Sequence, residues 1–235
     1  MALILCIETG TDICSVCLAR DGQLLSLRES SEGRDHARQV GVFVDELLRE
    51  MQLQPEDLDA IAVGMGPGSY TGLRIGVSFA KGLCYGIGKP LLAIGSLAAL
   101  TEVAREDYEA GILDVEQWEE AQLCPMVDAR RMEVYTQLFD AAGVAQSEVS
   151  AEIISEESFA EQRTSGRPFV IFGNGARKCV EVLAGAQLVE VAPSARGLAR
   201  LAEEAYTAGK FEDLAYFEPF YLKDFVVTTS KKKLF

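Results

Sequence analysis

Apolar residues begin in short runs and then settle into helical spacing. Ala2 to Ile7, Ile13 to Ala19 and Gln23 to Glu29 read as three strands. Their turns hold Gly10, Thr11 and Asp12, then Asp21 and Gly22. Asp-Gly between β-rich runs is a strong hairpin signal. From His36 to Met51, Ala37, Val40, Val44, Leu47, Leu48 and Met51 recur at three- and four-residue steps. That spacing predicts a helix with one apolar face. Asp59 to Met65 reads as a buried strand, and the loop GPGSYTG spans Gly66 to Gly72. A helix then runs to about Gly86, followed by a strand (Leu91 to Ile94) and a helix (Ser96 to Glu106).

The second half repeats this order. Leu123 to Val127, Met132 to Phe139 and Val144 to Ile154 read as strands, and Ser155 to Gln162 as a helix with Ser155 as its N-cap. Phe169 to Phe172 predicts a strand, Ala176 to Leu183 a helix, Leu188 to Val191 a strand and Ala195 to Ala208 a long helix. Three linked strands followed by β-α units indicate an α/β fold, with mixed sheets and flanking helices. Two copies predict two lobes with a cleft between them. From Glu102 to Glu120 eight acids face one base, Arg105, which reads as a helix end plus an exposed connector anchored by Trp118.

Composition narrows the function. The chain has 235 residues, is 49% hydrophobic and carries 22 basic against 36 acidic side chains, a net charge of −14. Such a field repels a nucleic-acid backbone and argues against affinity driven by phosphate contact, leaving room for a local touch by a basic tail. The lysines at 223 and 231–233 make a small basic tail, read as a solvated terminus. No apolar run reaches the ~18 residues a membrane span needs, and MALILCIETG lacks the basic flank of a signal peptide. Six cysteines without a secretory signal predict reduced thiols and a cytoplasmic location. Cys14 and Cys17 form a C-x-x-C pair, but on a strand they point to opposite faces.

Candidate chemistry is sparse. Gly64, Gly66, Gly68 and Gly72 make a Gly-rich strand-to-helix loop, which suits either an anion at a helix N-terminus or a tight turn. No Gly-Lys-Ser/Thr follows it, so it is not a Walker-type phosphate loop. Ser69 and Thr71 lack a matching base, because the chain has one histidine, His36, at a helix start. That histidine reads as a surface or capping residue. Gly72, Gly76, Ala80, Cys84 and Gly88 recur every fourth residue, a small-residue stripe that lets another surface approach closely. Asp128, Arg130 and Arg131 sit at a hairpin after a strand, and Gly173, Asn174 and Gly175 follow another. Each group fits a metal-nucleotide contact or an ordinary turn.

Several of these segments, taken together, resemble a known family. ILCIETGTDICSVCL, DHARQ, GMGPGSYTGLRIGVSFAKGL, VDARRMEVY, FGNGARK and PFYL are similar, in order, to the TsaB/YeaZ family of bacterial tRNA threonylcarbamoyladenosine biosynthesis, also described as M22 glycoprotease-like. The resemblance implies the actin-like, Hsp70-like, sugar-kinase ATPase fold: two ribonuclease-H-like lobes, here residues 1–103 and 104–209, with 210–235 packing back on the first. It implies a non-catalytic subunit that binds and positions a metal-bearing TsaD-type catalytic paralogue together with a TsaE-type ATPase. That assembly transfers a threonylcarbamoyl group to the adenosine 3′ of the anticodon in ANN-decoding tRNAs.

The paralogue's metal is held by a His-x-x-x-His pair, whereas here Val40 stands four residues after His36, so no metal or catalytic residue is expected. By the same resemblance Thr9, Gly10, Thr11 and Asp128 face nucleotide phosphates, and Gly173 and Gly175 face the adenosine. Glu8 replaces a common Asp, so any ATP or ADP binding is expected to be weak. Val40, Val44, Leu47, Gly72, Arg74, Gly76, Phe79, Ala80 and Leu83 are expected to line a homodimer or paralogue interface. The chain needs no cofactor of its own on this reading. Metal and ATP belong to partner subunits, and tRNA is met only through the complex. The rival reading is an autonomous kinase, ATPase or hydrolase on the same fold.

Overall fold

A computed structural model of the chain describes residues 2–31 and 35–223. The first sheet has the order β3-β2-β1-β4-β5. Its strands are β1 (Leu3–Glu8), β2 (Cys14–Arg20), β3 (Gln23–Ser30), β4 (Ala60–Gly66) and β5 (Leu91–Gly95). β1 pairs antiparallel with β2 and parallel with β4. β1 (LILCIE) is buried along its whole length, as a central strand covered on both faces must be. Leu3, Leu5 and Ile7 point to one core, and Ala2, Ile4 and Cys6 to the other. The helices α1 (His36–Glu50) and α2 (Tyr70–Ile87) cover the first of these faces. Among the described residues no helix is long and apolar enough to cross a membrane.

The second sheet runs β11-β10-β6-β7-β9, with β8 paired to β6. Its strands are β6 (Gln122–Asp128), β7 (Glu133–Thr136), β8 (Phe139–Asp140), β9 (Ser150–Ile153), β10 (Phe169–Phe172) and β11 (Gln187–Leu188). Strand for strand this repeats the first sheet: a three-stranded antiparallel meander, then two parallel additions. The two-lobed α/β expectation therefore holds at the level of topology.

Five local expectations fail in the second half, one being the strand from Leu188 to Val191, which is reduced to Gln187–Leu188. The predicted strand from Val144 to Ile154 shrinks to β9, because Asp140 Oδ1 accepts from the Ala142 and Val144 N–H groups at 3.0 and 2.9 Å and holds a turn instead. Met132 to Phe139 is divided into β7 and β8. The helix expected from Ser155 is the short α4 (Ala160–Thr164), since Ser155 and Ser158 bond to each other's turn and Phe159 enters at φ 56°. Ala176 to Leu183 contains a single 3-10 turn, Arg177–Cys179.

The helices also trade lobes. In α3 (Ser96–Glu109), Leu97, Leu100, Val103 and Ala104 pack with Leu123 and Phe172 of the second sheet. The 3-10 turn Ala195–Leu198 and α5 (Ala199–Thr207) return the other way, where Ala195, Leu198 and Ala202 pack on Ile4, Cys6 and Leu92. α3 therefore lies between the two sheets, with Ala99 on the first and Leu97, Leu100 and Val103 on the second, and α5 packs on the first. Nor is the acidic run simply exposed. Glu102 is buried and ion-paired to Arg105 and Arg200, while Glu106 and Asp107 hold the two arms of Arg196. Trp118 is buried and stacks on Tyr108 at 4.4 Å.

Residues 210–223 lie on the first lobe. The Phe220 N–H donates to the Met65 carbonyl at 2.8 Å, Lys81 Nζ donates to the Phe217 carbonyl at 2.8 Å, and Leu214 and Phe217 join the core. The lysines at 231–233 lie outside the described residues.

Candidate functional site

The turn between β1 and β2 is held from three sides. The Thr9 hydroxyl donates to the Gly72 carbonyl at 2.8 Å. The Ser69 N–H donates to the Gly10 carbonyl at 2.7 Å. His36 Nε2 lies 2.8 Å from the Thr11 carbonyl oxygen and is 7% exposed. So the lone histidine is neither a surface residue nor a helix cap. It braces the hairpin from beneath. Ser69 is the N-cap of α2, its Oγ accepting from the Gly72 N–H at 3.3 Å, which occupies the hydroxyl in structure.

Glu8 is the last residue of β1 and is 2% exposed. It does not point toward solvent. Oε1 accepts from the Gly10 N–H at 2.7 Å, and Oε2 accepts from the Ser96 hydroxyl at 2.9 Å. The side chain fills the space beside Gly64, where an added Cβ would lie 2.0 Å from Oε2. Burial pushes this carboxyl above its usual value, opposed by the bonds from Gly10, Ser96 and Thr9.

In the second lobe the β6–β7 turn carries Asp128. Its N–H donates to Asn174 Oδ1 at 3.1 Å, and its carboxylate accepts from the Arg130 N–H at 3.2 Å and pairs with Lys178. The two hairpins face each other across a cleft of about 450 Å³. Gly10, Thr11, Asp12 and the Pro67–Thr71 segment form one wall, Asp128, Ala129, Arg130 and Asn174 the other. The segment Phe220–Lys223 closes an edge, with Tyr221 against Tyr70 at 4.7 Å and Lys223 paired to Glu133.

Of the residues expected at a nucleotide, Gly10, Thr11 and Asp128 line this cleft. Thr9 lies beneath it. Gly173 and Gly175 pack behind the wall against Met126, and only Asn174 between them faces the opening. The C-terminal segment was not anticipated as part of the cleft, although PFYL is among the family-like stretches. Its distance in sequence from the hairpins carries no local signal.

The described residues bring together no group of three His, Cys, Asp or Glu side chains able to hold a metal ion. Cys14 and Cys17 belong to opposite faces of the first sheet, as strand geometry requires. Burial raises the Cys14 thiol to about 11 and the Cys84 and Cys124 thiols to about 12, so these are not thiolate nucleophiles.

The expected interface residues need correction. Val44, Leu47, Gly72, Gly76 and Ala80 are buried inside the chain. The small-residue stripe faces the sheet: a Cβ on Gly72 would meet the Thr9 carbonyl at 2.0 Å, and one on Gly76 the Thr9 hydroxyl at 2.3 Å. Leu83 packs against the first core. An open apolar groove does run between α1 and α2, lined by Arg74, Ile75, Ser78 and Phe79, with Val40 in its floor.

Comparison with known proteins agrees with this architecture. A family model described as TsaD, tRNA N6-adenosine threonylcarbamoyltransferase, matches residues 29–230. The tRNA threonylcarbamoyladenosine biosynthesis protein TsaB of Escherichia coli is 28% identical over 230 residues, covering 94% of each chain. That of Haemophilus influenzae is 33% identical over 132 residues, 56% of this chain and 51% of the relative, so that match spans about half of it. The structure of YeaZ from Pseudomonas aeruginosa superposes with a TM-score of 0.74 at 28% identity, covering 94% of this chain and all of that one. A dehydratase activator from Clostridium difficile, at 11% identity and a TM-score of 0.51, shares the fold alone. The chain has the two-lobed actin-like fold and belongs to the TsaB/YeaZ family, within the wider threonylcarbamoyltransferase family whose model it matches.

Proposed function

We propose that this chain is a non-catalytic subunit in tRNA threonylcarbamoyladenosine biosynthesis, binding and positioning a TsaD-type catalytic paralogue alongside a TsaE-type ATPase. One observation carries the reading. Glu8, the acid at the end of β1, and His36, the chain's one histidine, are both buried and bonded to the hairpin they support. Neither is free to meet a substrate. On this reading the chain needs no cofactor of its own, and metal and ATP belong to its partners.

The groove between α1 and α2 is the proposed partner surface, for a second copy or for the paralogue. Gly76→Arg does not test it, because the added side chain strikes Thr9 within the lobe. Ser78→Arg does, since Ser78 is exposed at the groove. The variant is expected to fold normally and to elute as a monomer with no paralogue bound. Reconstitution tests the function: omitting this chain should abolish modified tRNA, and the chain alone should show no turnover. A retained product would overturn the reading.

The cleft favours one rival, an autonomous ATPase or kinase, because hairpins from both lobes converge on it. Calorimetric titration with Mg-ATP separates the two. Micromolar binding with hydrolysis supports the rival, and weak or absent heat supports the subunit.

A further inference from the structure

The turn after β6 holds two consecutive arginines at positive φ, Arg130 at 71° and Arg131 at 51°. L-residues with side chains avoid this region, and Asn and Gly enter it most readily. Here the turn is braced from outside. The Ala129 N–H donates to the Glu133 carbonyl at 3.1 Å and the Glu133 N–H to the Arg130 carbonyl at 3.2 Å. Asp128 Oδ1 accepts from the Arg130 N–H. Backbone conformations held against preference in this way concentrate at functional positions.

The side chains themselves are left over. Both residues are exposed, and among the described residues neither guanidinium has a hydrogen bond or an ion pair. Other arginines of the same lobe are tied down: Arg163 to the Ala184 carbonyl, Arg167 to the Glu120 carbonyl, Arg177 to Glu190. The nearest acids are already occupied, Asp128 by Lys178 and Glu133 by Lys223. A pair of uncompensated guanidiniums on a body of net charge −14 is a local exception. Their placement separates two phosphate sources. Arg130 lines the cleft and Arg131 does not. A mononucleotide seated in the cleft meets Arg130 and not Arg131, so a ligand that engages both must extend beyond the cleft.

We infer that the Arg130–Arg131 turn is a phosphate-backbone contact for an RNA strand running over the cleft mouth. It fixes register and contributes a modest, salt-dependent share of the affinity. The inference rests on the tRNA reading above and adds to it a contact made by this chain itself.

The test replaces the pair by the residues the turn prefers, Arg130→Asn with Arg131→Gly, so the variant should melt at or above the parent temperature. The complex of this chain with its catalytic and ATPase partners is titrated with labelled tRNA transcript between roughly 50 and 200 mM salt. The variant complex is expected to bind about tenfold more weakly, with a log-log salt slope shallower by about 1–2. Arg131→Gly alone should weaken tRNA binding and leave ATP binding untouched. Unchanged tRNA affinity and slope would overturn the inference while leaving the subunit function intact. Loss of Mg-ATP binding by the isolated chain, with tRNA binding by the complex retained, would also overturn it, in favour of a free nucleotide. If the complex modifies tRNA equally well without this chain, the functional reading itself has failed.

Discussion

Glu8 is a carboxyl enclosed in protein, with a donor on each oxygen. Burial favours its protonated form, so its folded-state pKa is raised above the usual 4.5. The sign follows from linkage. A raised value gives stability that is fully present below the unfolded pKa and is lost as pH rises through the folded one. Glu8→Gln keeps a carbonyl for the Gly10 N–H and turns an amide toward Ser96, without any charge to bury. The variant should therefore gain stability relative to the parent as pH rises from 4.5 toward 8, read from urea midpoints at each pH. A difference that stays flat across that range would mean that Glu8 does not titrate there. The sequence showed an acid at the end of the first strand. It did not show which way the acid turns, because that depends on the space beside Gly64, a strand away.

At the scale of the element, α2 shows what periodicity can and cannot tell. A small residue at every fourth position was legible from Gly72 to Gly88, and so was the helix, which runs from Tyr70 to Ile87. The partner of that stripe was not, since a close approach to a sheet and a close approach to a second chain require the same residues. Two glycines of the one helix now separate these readings. Gly72→Ala places a methyl 2.0 Å from the Thr9 carbonyl and should cost more than about 2 kcal/mol, because backbone must shift. Gly82→Ala meets nothing within 4 Å and should gain about 0.5–1 kcal/mol from helix propensity. Equal effects in thermal melts would contradict the inward-facing stripe. Strands such as Phe169–Phe172 were legible because their runs are wholly apolar. The stretch from Val144 to Ile154 was misread because Asp140 and Ser147 bond to the backbone, an effect that hydrophobic pattern does not record.

For the whole molecule the exchange of α3 and α5 decides how the lobes unfold. α3 packs on both sheets and α5 on the first, so neither lobe keeps a closed core alone. Glu102 stands at the crossing, buried on α3 and bonded to Arg105 and to Arg200 of α5 at 2.9 and 2.6 Å. Without Glu102, Arg200 keeps only the exposed Glu204 and Arg105 only the exposed Glu109. Since the Arg200 side chain is 41% exposed, Glu102→Ala should cost about 2 kcal/mol, between the values for exposed and for wholly buried pairs. Glu204→Ala, which breaks only the exposed pair to Arg200, should cost under about 0.5 kcal/mol. Trp118 lies in the second-lobe core and is the chain's one tryptophan, so its fluorescence reports that lobe, whereas far-ultraviolet dichroism reports both. Because the cores share helices, the two signals should lose structure at one urea midpoint in the parent and in Glu102→Ala. Midpoints that separate in the parent would show that the lobes are independent and that the shared helices do not couple them.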